Sequence, residues 1–213
     1  MQAIELDNKE QINNVMLSLP RDRFLDSGKT SSILGRSIPP SNAIANILQH
    51  ASLEPQHRVL QVGTGAGYLT ALLSQLAAEV VAIENDPAIA ASARERFEQL
   101  GLTNLLLLEG NGIEGAVDMA PFDRILVSSP RVTDKSTLLD QLALGGSLLA
   151  IELGEANVHI LTRYSMTELG ATVRKELTLV DFSQDTSVTL LDMGVVDQEM
   201  LTEAGAIATR KHL

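Results

Sequence analysis

The chain has 213 residues, 45% of them hydrophobic and 20% charged, which is enough for one globular domain with a core of ordinary size. It contains no cysteine, so disulfide frameworks, zinc–cysteine sites, iron–sulfur clusters and cysteine nucleophiles are excluded together. Sixteen Lys and Arg against 27 Asp and Glu give a net charge of −11, which repels polyphosphates, and no nucleic-acid partner is expected.

The first residues carry Glu5, Asp7, Lys9 and Glu10 among apolar ones, without a basic region leading into an apolar run. An export signal is therefore not expected, and a cytoplasmic location is. Apolar runs fall far short of the roughly 20 residues a membrane helix needs, so no membrane association is expected. The four histidines, at 50, 57, 159 and 212, form no pair at metal-ligand spacing, and no metal site is expected.

In chain order, a helix is predicted over Lys9 to Leu19. A Ser/Gly/Pro-rich passage follows from Ser27 to Ser41, read as a surface connection or binding loop, and then a helix from Ser41 to Ala51 for which Ser41 is the expected N-cap. Continuous apolar runs at Arg58 to Val62, Val80 to Glu84, Leu105 to Leu108, Arg124 to Ser128 and Ser147 to Ile151 suit strands buried on both faces of a parallel sheet. Helical spacing fills Tyr68 to Ala77, Pro87 to Leu100 and Lys135 to Ala143. Asp86 is the expected cap of the second of these, with Pro87 in its first turn and Gly101 at its end. The alternation predicts a doubly wound α/β sheet. Val158 to Tyr164 and Ala171 to Phe182, separated by the short polar segment Thr167 to Gly170, predict an antiparallel hairpin that finishes it. The tail from Gln184 holds one further strand-like run, Val188 to Met193, and a short helical segment.

The informative stretch is Val59-Leu60-Gln61-Val62-Gly63-Thr64-Gly65-Ala66-Gly67-Tyr68, a strand, three glycines at alternate positions, and a helix. Glycine is needed where the chain turns sharply and where a ligand approaches backbone. An acidic residue, Glu84, closes the next strand 21 positions after Gly63, where a carboxylate can accept ribose hydroxyls. A dinucleotide fingerprint wants its third glycine three residues after the second, and that position is Tyr68. Gly-x-Gly-x-Gly with an acid ending the following strand resembles instead the S-adenosyl-L-methionine site of class I methyltransferases.

The wider sequence resembles the protein-L-isoaspartate O-methyltransferases. The resemblance runs through Met16-Leu-Ser-Leu-Pro20-Arg21-Asp-Arg-Phe24, Arg58 to Tyr68, Glu109-Gly-Asn-Gly-Ile-Glu-Gly115, Ala120-Pro-Phe-Asp-Arg-Ile-Leu-Val127 and Leu144-Gly-Gly-Ser-Leu-Leu149, covering roughly residues 12 to 182. It implies a Rossmann-like methyltransferase fold, five parallel strands plus an antiparallel hairpin. It further implies methyl transfer from S-adenosyl-L-methionine to the carboxylate of an isoaspartyl residue in damaged protein, so that the partner is a protein or peptide carboxylate. The alternative is a family relative that binds the cofactor with weakened catalysis, in a binding or regulatory role. Nothing in the sequence indicates an oligomeric state.

Carried over by position, the resemblance places the cofactor against Gly63, Thr64, Gly65, Gly67, Glu84, Asn85, Asn111 and Gly112. Where the family has Gly-Asp-Gly, this chain has Gly110-Asn111-Gly112, which keeps an acceptor oxygen and loses a charge. The acid that precedes the family's glycine turn is Gln61. In the Ser/Gly/Pro passage the family has Gly-x-x-Thr-Ile-Ser, and Pro39 occupies the position of the final serine, without hydroxyl or N–H. Ser37, and less so Ser41, could supply a substitute hydroxyl. The family's closing Arg-Phe-Val-Pro-Leu is Asp181-Phe182-Ser183-Gln184-Asp185 here. The expected organisation is an N-terminal helical and substrate-side segment over residues 1–57, a cofactor-binding core over 58–183 and a C-terminal extension over 184–213.

Overall fold

The computed structural model describes residues 2–25, 32–33, 36–155 and 158–180. The expected strand and helix in the tail, together with Asp181 and Phe182, lie outside the described residues. Helix α1 (Gln2–Ser18) and a 3-10 turn (Arg21–Phe24) lead to the short antiparallel pair β1 (Ser32–Ile33) and β2 (Arg36–Ser37), then to α2 (Ser41–Ala51). The alternating part follows as β3 (Arg58–Val62), α3 (Tyr68–Leu76), β4 (Glu79–Glu84), α4 (Pro87–Gln99), β5 (Leu105–Glu109), β6 (Phe122–Val127), α5 (Ser136–Leu139) and β7 (Leu142–Leu153). Strands β8 (His159–Met166) and β9 (Thr172–Val180) close the chain's described part.

Seven strands form one sheet in the order β5-β4-β3-β6-β7-β8-β9. The first five are parallel, β8 is antiparallel to β7, and β8 with β9 makes the hairpin expected from Thr167 to Gly170. Apolar residues alternate between two buried layers because both faces of the central strands are covered. On one face Val59, Val80, Ala82 and Leu126 pack with Ile12 and Met16 of α1, Ile44 and Leu48 of α2, Leu72 of α3 and Phe97 of α4. On the other, Leu60, Val62, Val81, Ile83, Ile125 and Val127 meet Phe122, Leu138 and Leu148.

Several boundaries differ from the sequence reading. Helix α1 begins at Gln2, since the Ala, Glu and Leu ahead of Lys9 are good helix formers that carry no apolar stripe of their own. The helix expected over Lys135 to Ala143 is only Ser136–Leu139, because the chain enters β7 at Leu142. That strand continues through Gly145 and Gly146, which form an irregularity in its pairing with β6 between Phe122 and Arg124, where the sequence reading started it at Ser147. The α2 cap is also corrected: Pro40 takes the cap position without a side-chain bond and Ser41 lies inside the helix. Asp86 does cap α4, its Oδ1 accepting from the N–H groups of Ala88 at 3.0 Å and Ile89 at 3.3 Å.

An ionic cluster joins the hairpin to the segment before α5. Glu152 accepts from Lys135 Nζ at 2.8 Å, Tyr164 Oη at 2.7 Å and Arg174 at 2.9 Å. Burial alone would raise its carboxyl, but the bonds from Lys135, Tyr164 and Arg174 outweigh it and hold the pKa at about 2 against an ordinary 4.5. A folded-state pKa below the unfolded one stabilises above the unfolded value and is lost as pH falls through the folded one. In urea unfolding, the advantage of the wild type over Glu152→Gln is expected to be full near neutral pH and to shrink between 4.5 and about 2. A constant difference across that range would show that the cluster is not the source. Since Arg174 is half exposed, the contribution is about 1–2 kcal/mol.

Candidate active site

Sheet order reverses between β3 and β6, and the carboxyl ends of strands beside such a reversal form the ligand crevice of an open α/β sheet. Four links gather there: Gly63 to Gly67 after β3, Asn85 and Asp86 after β4, Gly110 to Gly112 after β5, and Ser128 and Ser129 after β6.

The turn after β3 is tied down on each side. Gly63 N–H and Thr64 N–H donate to Ile83 O at 3.0 and 3.3 Å, buried Thr64 Oγ1 donates to the same oxygen at 3.4 Å, and Gly67 N–H donates to Thr64 O at 3.0 Å. Gly67 has φ +88°, and a Cβ there would stand 2.7 Å from the Phe97 ring, so both conformation and packing demand glycine. In front of Gly65 there is open space, which leaves its backbone approachable.

Glu84 is 5% exposed, and its carboxylate turns back to the turn. Oε2 accepts from Gly65 N–H at 2.9 Å, while Oε1 accepts from Asn85 and Asp86 N–H, each at 3.1 Å. Of roughly four acceptor positions on a carboxylate, three are thus engaged by backbone. The side chain read from sequence as a ribose acceptor also holds the glycine turn and the entry to α4 in register. Asn85 itself is exposed beside it.

Gln61, 1% exposed, spans the reversal point: its Nε2 donates at 3.3 Å to both Gly63 O and Ser128 Oγ. A carbonyl can only accept, so the amide NH2 must face Gly63 and Oε1 must face away. That Oε1 is buried and has no partner among the described residues. Ser128 N–H donates to Val62 O at 2.9 Å, and Ser128 and Ser129 line the Gly63 side of the crevice. Neither serine was singled out in the sequence, although the run Arg124 to Ser128 ends at the carboxyl side of a central strand.

After β5, Gly110 N–H donates to Glu84 O at 3.0 Å. Asn111 is exposed, its Oδ1 accepting from Ile113 N–H at 3.2 Å. Gly112 backs onto Val62 so closely that a Cβ would collide with its side chain. The link then runs through buried Gln141, whose Oε1 accepts from Ala116 N–H at 2.8 Å and whose Nε2 donates to Glu114 O at 2.9 Å and Thr137 O at 3.0 Å.

Ser37 lies in β2, and Pro39 two residues on in the half-buried link to α2. Arg21 anchors that link by donating to Ile38 O at 2.8 Å. A chain of side chains missed by the sequence reading connects this N-terminal segment to the glycine turn. Phe24 meets Tyr68 with ring centroids 5.1 Å apart, and the Arg96 guanidinium stands over Phe24 while donating to Ala66 O at 3.0 Å. Burial pushes the Tyr68 hydroxyl up to about 12, so the ring is neutral packing material at ordinary pH.

Sheet order, the hairpin at one edge and the glycine turn at the reversal point define a class I, Rossmann-like methyltransferase fold. Solved structures agree. A protein-L-isoaspartate O-methyltransferase superposes with a TM-score of 0.69 at 21% identity, covering 89% of this chain and 66% of the other. A Plasmodium falciparum chain described as a beta-aspartate methyltransferase, in complex with S-adenosyl-L-homocysteine, superposes with a TM-score of 0.67 at 20% identity, over 84% of this chain and 95% of that one. The family model described as protein-L-isoaspartate(D-aspartate) O-methyltransferase matches residues 2–188, and the chain belongs to that family. Among curated relatives, the protein-L-isoaspartate O-methyltransferase of Koribacter versatilis is 39% identical over 149 residues, 66% of this chain and 67% of its own length. That of Xanthobacter autotrophicus is 38% identical over 148 residues, 70% of this chain and 67% of its own.

Among the described residues, no helix is long and apolar enough to cross a membrane, and no group of three or more His, Asp or Glu is placed to hold a metal ion.

Proposed function

We propose that the chain is an S-adenosyl-L-methionine-dependent O-methyltransferase acting on the isoaspartyl carboxylate of damaged protein. The observation that carries this reading is the buried Glu84 carboxylate bonded to Gly65 of the glycine turn, which joins the two sequence motifs at the carboxyl ends of β3 and β4. Family membership and the names of the relatives support it. None of these matches favours the alternative of a relative with weakened catalysis.

The residues fit the cofactor. Open space before Gly65 admits a ligand against bare backbone. Gly63, Thr64, Gly65 and Gly67 would hold the amino-acid end, Glu84 and Asn85 the ribose, and Asn111 and Gly112 the adenine. When bound, the cofactor supplies a methyl group on a positively charged sulfur. The acceptor carboxylate is ionised at neutral pH, so no protein group would have to remove a proton before it took up that methyl group. What the chain contributes is alignment and exclusion of water, with the substrate held by the segment around Ser37 and Pro39. We place the protein in the cytoplasm and give it a protein or peptide carboxylate as partner.

Titration with S-adenosyl-L-homocysteine and with NAD tests the cofactor assignment: the former is expected to saturate and the latter to leave no signal. Saturation by NAD alone would replace this reading with that of a dinucleotide enzyme.

A further inference from the structure

We propose that Asn111 is a site of spontaneous deamidation, and that this chemistry alters the wall of the cofactor site as the protein ages. Asn111 is the one asparagine in the sequence followed by glycine, and it is exposed. Its Oδ1 accepts from Ile113 N–H at 3.2 Å and its backbone carbonyl accepts from Glu114 N–H at 3.1 Å. A side-chain oxygen that reaches the N–H two residues ahead folds across the intervening peptide, which brings Cγ against the Gly112 nitrogen. That nitrogen donates no hydrogen bond among the described residues.

The Gly112 nitrogen loses its proton to solvent and bonds to Cγ, solvent returns a proton to Nδ2 as the Cγ–Nδ2 bond breaks, and ammonia leaves. Ile113 N–H already sits on the oxygen where negative charge collects during that step, as a single preset donor. Water then opens the five-membered ring at one of its two carbonyls, giving aspartate at 111 or isoaspartate. Aspartate restores the acid of the Gly-Asp-Gly pattern that this chain resembles. Isoaspartate inserts a methylene into the backbone and disrupts the bonds from Glu114 N–H to Asn111 O and from Gly115 N–H to Gly112 O, which are 3.1 and 3.2 Å long.

Only the consequence for the cofactor rests on the function proposed above; the deamidation does not. The test ages the full chain at mildly alkaline pH beside a synthetic peptide of residues 106–116, with Asn111→Ser as control, and maps the products by fragmentation mass spectrometry. Loss of intact Asn111 from the folded chain on the timescale of the peptide is expected, with no conversion at that position in Asn111→Ser. Intact Asn111 in the folded chain after the peptide has converted would overturn the proposal. The isoaspartate fraction, once separated, is expected to bind S-adenosyl-L-homocysteine about tenfold more weakly than fresh protein, the effect of losing one or two turn hydrogen bonds. Equal affinity would overturn that consequence, whereas failure of fresh protein to bind would count against the proposed function and leave the mapping result standing.

Discussion

Glu84→Ala is expected to weaken S-adenosyl-L-homocysteine binding about ten- to a hundredfold, the loss of a charged acceptor being worth about 1.5–3 kcal/mol. The substitution acts twice. It removes the acceptor proposed for the ribose, and it strips the Gly65, Asn85 and Asp86 N–H groups of their shared oxygen atoms. Isothermal titration alongside urea unfolding separates the two effects, since a folded variant with normal cooperativity still reports on the ligand. Glu84→Gln is the sharper probe. Its amide presents one oxygen and one NH2 where donors approach from both sides, so it cannot satisfy Gly65 and the Asn85–Asp86 pair together. An unchanged dissociation constant in folded Glu84→Ala would remove this residue from the cofactor site.

The second large effect is expected on the acceptor side. By the sequence resemblance Pro39 would fall at the family's serine position, and proline supplies neither hydroxyl nor N–H. Turnover of an isoaspartyl peptide is therefore expected to be about tenfold below that of a serine-bearing family enzyme, the value of one positioning hydrogen bond, while S-adenosyl-L-homocysteine affinity is ordinary. Pro39→Ser is expected to recover most of that loss. The change should leave the local path intact, because Pro40 follows and a residue ahead of proline is kept extended. A radiolabelled methyl-transfer assay decides the matter. Wild-type turnover equal to the control enzyme would show Pro39 to be tolerated, and no gain in Pro39→Ser would move the cause to other acceptor-side residues.

Much of this architecture was legible because its signals are local. Val59, Leu60 and Val62 read as a buried strand from their own composition, and Asp86-Pro87 marks a helix start within two residues. The glycine turn was found for the same reason. What escaped depends on partners far along the chain. Ser41 looks like a cap until Pro40 takes the role, and Leu142 and Ala143 look helical until pairing with Phe122 draws them into β7. Glu84 could be assigned to a ligand from its spacing, but its hold on Gly65 arises only when β3 and β4 lie side by side. Arg96 carries no sequence signal for its bond to Ala66, 30 positions away.

Gln141 anchors the link between β5 and β6 in a way that is indifferent to acid and salt. Every bond by which its side chain holds that link is made by an uncharged amide, which does not ionise in any pH range where proteins stay folded. Salt has no charge there to screen, and acid has no carboxylate to discharge. Acid sensitivity of the hairpin belongs instead to Glu152. Acid is therefore expected to loosen the hairpin edge of the sheet while Gln141 keeps its hold on the link after β5.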